Sequence, residues 1–170
     1  MKNYSVEHFS QNKFNQGFTL IELMIVVVIV AIFSAIAIPS YQHFVRRANV
    51  AQAQQEMQKL AEQLERYKAR NFSFKGFNAT YLYPNSALFN SSTQTLNLDS
   101  KFTLTVVDSM NGNPLLTSTS AGGQGWAIKA ISLDTRNFSL LLTSIGVSCK
   151  NMTIENIDYN SCGTEGSEDW

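Results

Sequence analysis

Gly17-Phe18-Thr19-Leu20-Ile21-Glu22 opens an apolar run that continues to Ile38, and the reading of this stretch decides the fold. Within residues 18–38 only Thr19, Glu22 and Ser34 interrupt the aliphatic and aromatic side chains. Roughly 20 such residues suffice to cross the hydrocarbon of a bilayer as a helix. Glu22 is the exception that needs a reason, because a lone charge inside the apolar layer costs about 2.5–3.5 kcal/mol on insertion scales. Either it lies near enough to the interface to stay wet, or it meets a cation. No Lys or Arg occurs between Phe18 and Val45, so a cation must come from elsewhere. Cleavage just before Phe18 would supply one, a new α-amine with an ordinary pKa near 7.7–8.0.

These six residues, followed by a membrane-length run, resemble the processing signature of type IV prepilins. The resemblance is close over residues 13–70 and holds in outline beyond them. It implies a cut after Gly17 by a prepilin peptidase, methylation of the new N-terminal Phe18, and a role for Glu22 in setting the register of neighbouring subunits in a fibre. It also implies a leader in the cytoplasm and a C-terminal domain in the periplasm, at the bacterial inner membrane before assembly and in a cell-surface pilus afterwards. The expected partners are other pilin subunits, the peptidase, an inner-membrane assembly platform, and membrane lipid before assembly.

Outward from the apolar run, residues 1–17 are polar and form the expected leader. A secretory signal places its apolar core before the cut; here the core follows the cut and stays as an anchor. Pro39 removes a backbone donor and crowds the carbonyl of Ala35. It either ends the membrane helix or kinks it. Resumed helical spacing beyond it favours a kink, and the resemblance places a helix-loosening proline there. Val50, Ala53, Met57, Leu60, Leu64 and Tyr67 recur at steps of three and four, which predicts an amphipathic helix over residues 39–70. The stripe is too short for a coiled-coil seam and reads as the seat of a globular core.

Residues 71–170 form the expected globular domain. Phe72, Phe74, Phe77, Tyr81 and Tyr83 sit among polar residues and predict a loop pinned to the helix by its aromatic side chains. Residues 102–107, 126–133 and 138–144 read as three strands separated by turn signals, including Asn111-Gly112-Asn113-Pro114. The expected class is α+β: one long N-terminal helix, transmembrane then amphipathic, packed against an antiparallel sheet. Cys149 and Cys162 close the chain. Paired cysteines suit an oxidising compartment and predict a disulfide; a metal is the alternative, but structural zinc takes four ligands. Many pilins, which this region resembles, use such a loop for subunit contacts.

Thirteen cationic and thirteen anionic residues balance. This argues against a general nucleic-acid binder, which would cluster positive charge, while leaving room for a local patch. No phosphate-binding glycine loop, metal-ligand spacing or Ser-His-Asp set occurs, so catalysis, a cofactor and a metal are not expected. The functional expectation is a structural pilus subunit, more similar to minor than to main pilins, supporting adhesion, twitching motility or DNA uptake. A pseudopilin of type II protein secretion and a DNA-binding competence pilin are the alternatives.

Overall fold

The computed structural model describes residues 17–84, 88–110 and 112–170. The expected leader therefore lies outside the described residues except for Gly17, as does Asn111 of the expected turn. One helix, α1, spans Leu20–Asn71, and a seven-stranded antiparallel sheet follows in the order of the chain. The chain divides into two units, one ending at Gln42 and the other covering His43–Trp170.

In the first unit, helical hydrogen bonding begins with the Leu23 N–H donating to the Thr19 carbonyl at 3.2 Å. The Glu22 N–H also donates to Thr19 Oγ1 at 3.2 Å. Thr19 therefore caps the helix, satisfying donors that the first turn leaves without an intrahelical partner. The following side chains are exposed almost without exception, and none of the most apolar window is buried against protein. Water cannot stabilise so long an apolar surface. By length and composition this part of the helix can cross a membrane. α1 continues through Pro39.

In the second unit the expected stripe is the buried face of α1. Ala53, Met57, Leu60 and Leu64 are fully buried, with Val50 and Tyr67 packed at the margins. They meet inward side chains of β3 (Phe102–Asp108), β4 (Trp126–Ser132) and β5 (Ser139–Thr143). Leu104, Val106, Ile128, Ala130 and Leu140 belong to the same core. The register sets Leu104 opposite Ala130 and Ala130 opposite Leu140, so one face of three strands is continuously apolar. Glu65 on the helix accepts a hydrogen bond from Trp126 Nε1 at 3.0 Å, fixing helix to sheet where apolar packing alone would allow sliding.

The sheet is larger than the three strands expected. β1 (Phe89–Asn90) and β2 (Thr95–Leu98) extend one edge, and β6 (Ser148–Asn151) and β7 (Glu168–Asp169) the other. The C-terminal segment, which reads from sequence as a tail, is thus a paired edge strand. Trp170 anchors it by donating from Nε1 to the Cys149 carbonyl at 2.9 Å.

Phe74 and Phe77 are buried, and Tyr67 meets Phe77 edge-on at 5.6 Å, so the aromatic loop is pinned to the helix as expected. Tyr83 is held too, donating to Glu56 at 2.8 Å and stacking on Phe89. Burial first, then the Glu56 carboxylate, pushes its hydroxyl above the ordinary tyrosine range. Phe72 and Tyr81 are exposed instead. Gly123 fastens the loop to the sheet: its carbonyl accepts from Phe74 N–H, and its own N–H donates to buried Asp108 at 2.7 Å. Its φ of +68° is a left-handed value, and a Cβ there would lie 2.6 Å from Lys75 N, so only glycine fits.

Candidate functional site

The N-terminal site is built by the first turn of α1. Gly17, Phe18, Thr19 and Glu22 line one shallow surface recess, and Phe18 is 86% exposed. Glu22 stands in the first helical turn, where the unpaired N–H groups make the helix end partially positive and favour a carboxylate. Thr19 and Glu22, three apart, fit the capping-box pattern of helix starts. This local role is easily missed in the sequence, because Thr19 reads at first as a polar blemish in an apolar run.

At the other end of the chain Cys149 and Cys162 form a disulfide with Cα atoms 6.0 Å apart. Both cysteines are buried with Val107, Ala127, Leu141 and Ile157 in a second small core. Asn151, itself buried, sews the loop shut by donating to the carbonyls of Cys162 and Glu165 at 2.8 and 2.7 Å. Among the described residues no group of His, Cys, Asp and Glu is placed to hold a metal.

A third feature straddles the boundary between helix and loop. Residues 66–75, Arg-Tyr-Lys-Ala-Arg-Asn-Phe-Ser-Phe-Lys, carry four cations and no carboxylate across the end of α1. The helical spacing ends inside this segment and the aromatic loop begins at residue 71, so its basic and aromatic halves read from sequence as parts of different elements. In the structure Arg66, Arg70 and Tyr81 line one open groove with Gln63 and Asn71. Arg66 pairs with Glu62, Lys68 lies 4.6 Å over the Phe74 ring, and Lys75 donates to the Thr119 carbonyl. Arg70 forms no ion pair among the described residues. Beside it Phe72 is 89% exposed, with φ of +59°, a conformation uncommon for a bulky residue. An exposed aromatic ring among cations offers a stacking surface and phosphate partners together.

A model of the prokaryotic N-terminal methylation motif matches residues 12–38. A second, described as type IV minor pilin ComP, DNA uptake sequence receptor, matches residues 39–153, more than half of the chain. Among curated proteins the chain is similar to the type IV major pilin protein PilE1 of Neisseria gonorrhoeae. They share 55% identity over 42 residues, 25% of this chain and 26% of that protein. The type IV major fimbrial protein FimA of Dichelobacter nodosus shares 48% over 50 residues, 29% and 32% of the two chains. A fimbrial protein of Moraxella nonliquefaciens shares 58% over 38 residues, 22% and 25%. The matches thus span about a quarter to a third of the curated relatives' length. No solved structure matches. With a helix long and apolar enough to cross a membrane, a sheet packed on its second half and family models matching residues 12–38 and 39–153, the chain belongs to the type IV minor pilin family of ComP.

Proposed function

We propose that this chain is a minor subunit of a type IV pilus that takes up DNA, and that the segment 66–75 binds the nucleic acid. The observation that carries the reading is the match of residues 39–153 to the DNA uptake sequence receptor family. The cluster of Arg66, Lys68, Arg70 and Lys75 beside exposed Phe72 supports it in a chain with no excess positive charge.

In this reading a prepilin peptidase cuts after Gly17, Phe18 is methylated, and the apolar helix anchors the subunit in the inner membrane with the globular unit in the periplasm. An assembly platform then moves the helix into the fibre, where neighbouring pilin helices replace lipid around it. Pro39 is where the helix loosens during this transfer. Fibre assembly needs no catalytic group in the subunit itself. At the surface the cations of 66–75 approach phosphates, which sets affinity and position. Any sequence preference needs hydrogen bonds or packing at base edges; Asn71 and Tyr81, which line the groove with Arg66 and Arg70, and exposed Phe72, next to Asn71 in sequence, can supply them.

The test uses the full chain in detergent and a random-sequence duplex library at low and moderate salt. Binding should weaken steeply as salt rises, and repeated selection should enrich a short motif. Lys68→Gln combined with Arg70→Gln should weaken binding about tenfold or more and lower the salt slope by about two, one for each phosphate left without its cation. Lys101→Gln, in the turn after β2, should leave both unchanged. No binding at low salt would refute the DNA reading. Binding indifferent to the double substitution would refute the assignment to 66–75.

A further inference from the structure

We propose that the cleft beside the first turns of the globular unit's helix binds the head group of an anionic phospholipid of the membrane that anchors the chain. The cleft has a volume of about 610 Å³ and is lined on the helix side by His43, Arg46, Arg47 and Val50. Residues 136–138, Lys150, Met152 and Glu168 form its other side. Asn137 joins the two sides, its Nδ2 donating to the Arg46 carbonyl at 3.3 Å.

Four cations face one carboxylate in this lining. Lys150 is matched by Glu168 at 3.1 Å, and Arg136 by Asp134, just outside the cleft, at 3.2 Å. Among the described residues Arg46 and Arg47 have no carboxylate within ion-pair distance. Hydrogen bonds from the Arg136 backbone N–H and guanidinium, with a smaller attraction from Arg46, hold the Asp134 carboxyl below its usual range. Val50, Phe138 and Met152 supply an apolar wall. A cleft that is cationic on one part of its wall and apolar on another matches a phosphodiester with acyl chains attached.

Position along the chain selects lipid over other anions. His43 follows Ile38, the last residue of the apolar run, by only five residues of sequence, about 7.5 Å at helical rise. The head-group layer extends roughly 5–7 Å beyond the hydrocarbon on each side. Helical side chains lean toward the helix N-terminus, so Arg46 and Arg47 reach back toward that layer and can keep their charged ends in it. Two arginines on the side expected to face away from the cytoplasm run against the usual charge bias of membrane helices; an anionic lipid gives them a partner.

The full chain is placed in bilayers of equal phosphatidylglycerol and phosphatidylethanolamine, extracted in neutral detergent, and its retained lipids are counted by native mass spectrometry. Phosphatidylglycerol should be retained roughly tenfold over phosphatidylethanolamine. Arg46→Gln with Arg47→Gln should bring the two to parity, Arg46→Lys with Arg47→Lys should keep most of the preference, and Lys101→Gln should change nothing. Equal retention by the wild-type chain, or a preference that survives the Gln pair, would overturn the proposal. So would complete displacement by inorganic phosphate, which marks a simple anion site, or a lipid-free dimer, which marks a subunit interface. Failure to enter the bilayer would instead refute membrane anchoring itself.

Discussion

Glu22→Ala should remove this subunit from fibres while leaving its globular unit folded and its membrane pool intact. The expectation follows from the apolar setting. Among the described residues none of the most apolar window of α1 is buried, and the packed core of the second unit draws on the helix from Val50 onward. Damage at Glu22 therefore cannot reach the fold through packing. What it removes is the carboxylate that, in the proposed fibre, meets the Phe18 ammonium of a neighbouring subunit. Exposed to water such a pair contributes only about 0–1 kcal/mol. Within an apolar layer, deleting one member leaves the other charge unpaired at a cost of several kcal/mol.

The cap at Thr19 supplies a competing account that must be separated. If Glu22 mattered only as the capping-box residue three positions after Thr19, a role that Gln also fills, its loss would cost about 0.3–1.5 kcal/mol and fibre entry would fall modestly. Glu22→Gln distinguishes the two, because it keeps the capping geometry and removes the charge. The charge-pair account predicts that Gln behaves like Ala and that Asp, with a shorter reach, is intermediate. Shearing fibres from cells and quantifying the subunit against its membrane pool reads the result. Near-normal amounts of the Gln variant would support the capping account; near-normal amounts of the Ala variant would exclude both.

The second large effect lies at the opposite end. Replacing Cys149 and Cys162 together by Ser should lower the unfolding free energy by about 3 kcal/mol, since the bond closes a loop of separation 13. The loss should be local in character. Neither cysteine belongs to the core between helix and sheet; both sit in the smaller cluster with Ile157. The far-ultraviolet dichroism of the folded double variant should thus resemble that of the wild-type chain, while the denaturation midpoint drops. An unchanged midpoint in urea would show that Asn151 and its two carbonyl bonds hold the loop without the disulfide.

How much of this is legible in the sequence depends on segment length. The helix carries two signals, an apolar run and then a stripe at steps of three and four, and both map onto the described helix. β3, β4 and β5 run to five or seven residues, enough for a period-two pattern to show. β1 and β7 have two residues each, too few to show a period, and β2 and β6 only four, the shortest run that can. β6 alternates in burial, but its buried residues are Cys149 and Asn151, which do not read as a strand's apolar face. Long-range sites are the least legible. The cleft unites residues near 46, 137, 150 and 168, and only the order of the sheet brings them together. The basic segment is readable in principle, because residues 66–75 are contiguous; the helix end that falls inside it hides it.

The whole account turns on residues 17 and 18, because anchoring, the Glu22 pair and entry into a fibre all presume a chain that begins at Phe18. Intact-mass analysis of the protein extracted from membranes tests this directly. The account predicts one species lacking residues 1–17 and carrying one added methyl group on Phe18. A mature chain that starts at any other residue, or one that retains residues 1–17, would contradict it.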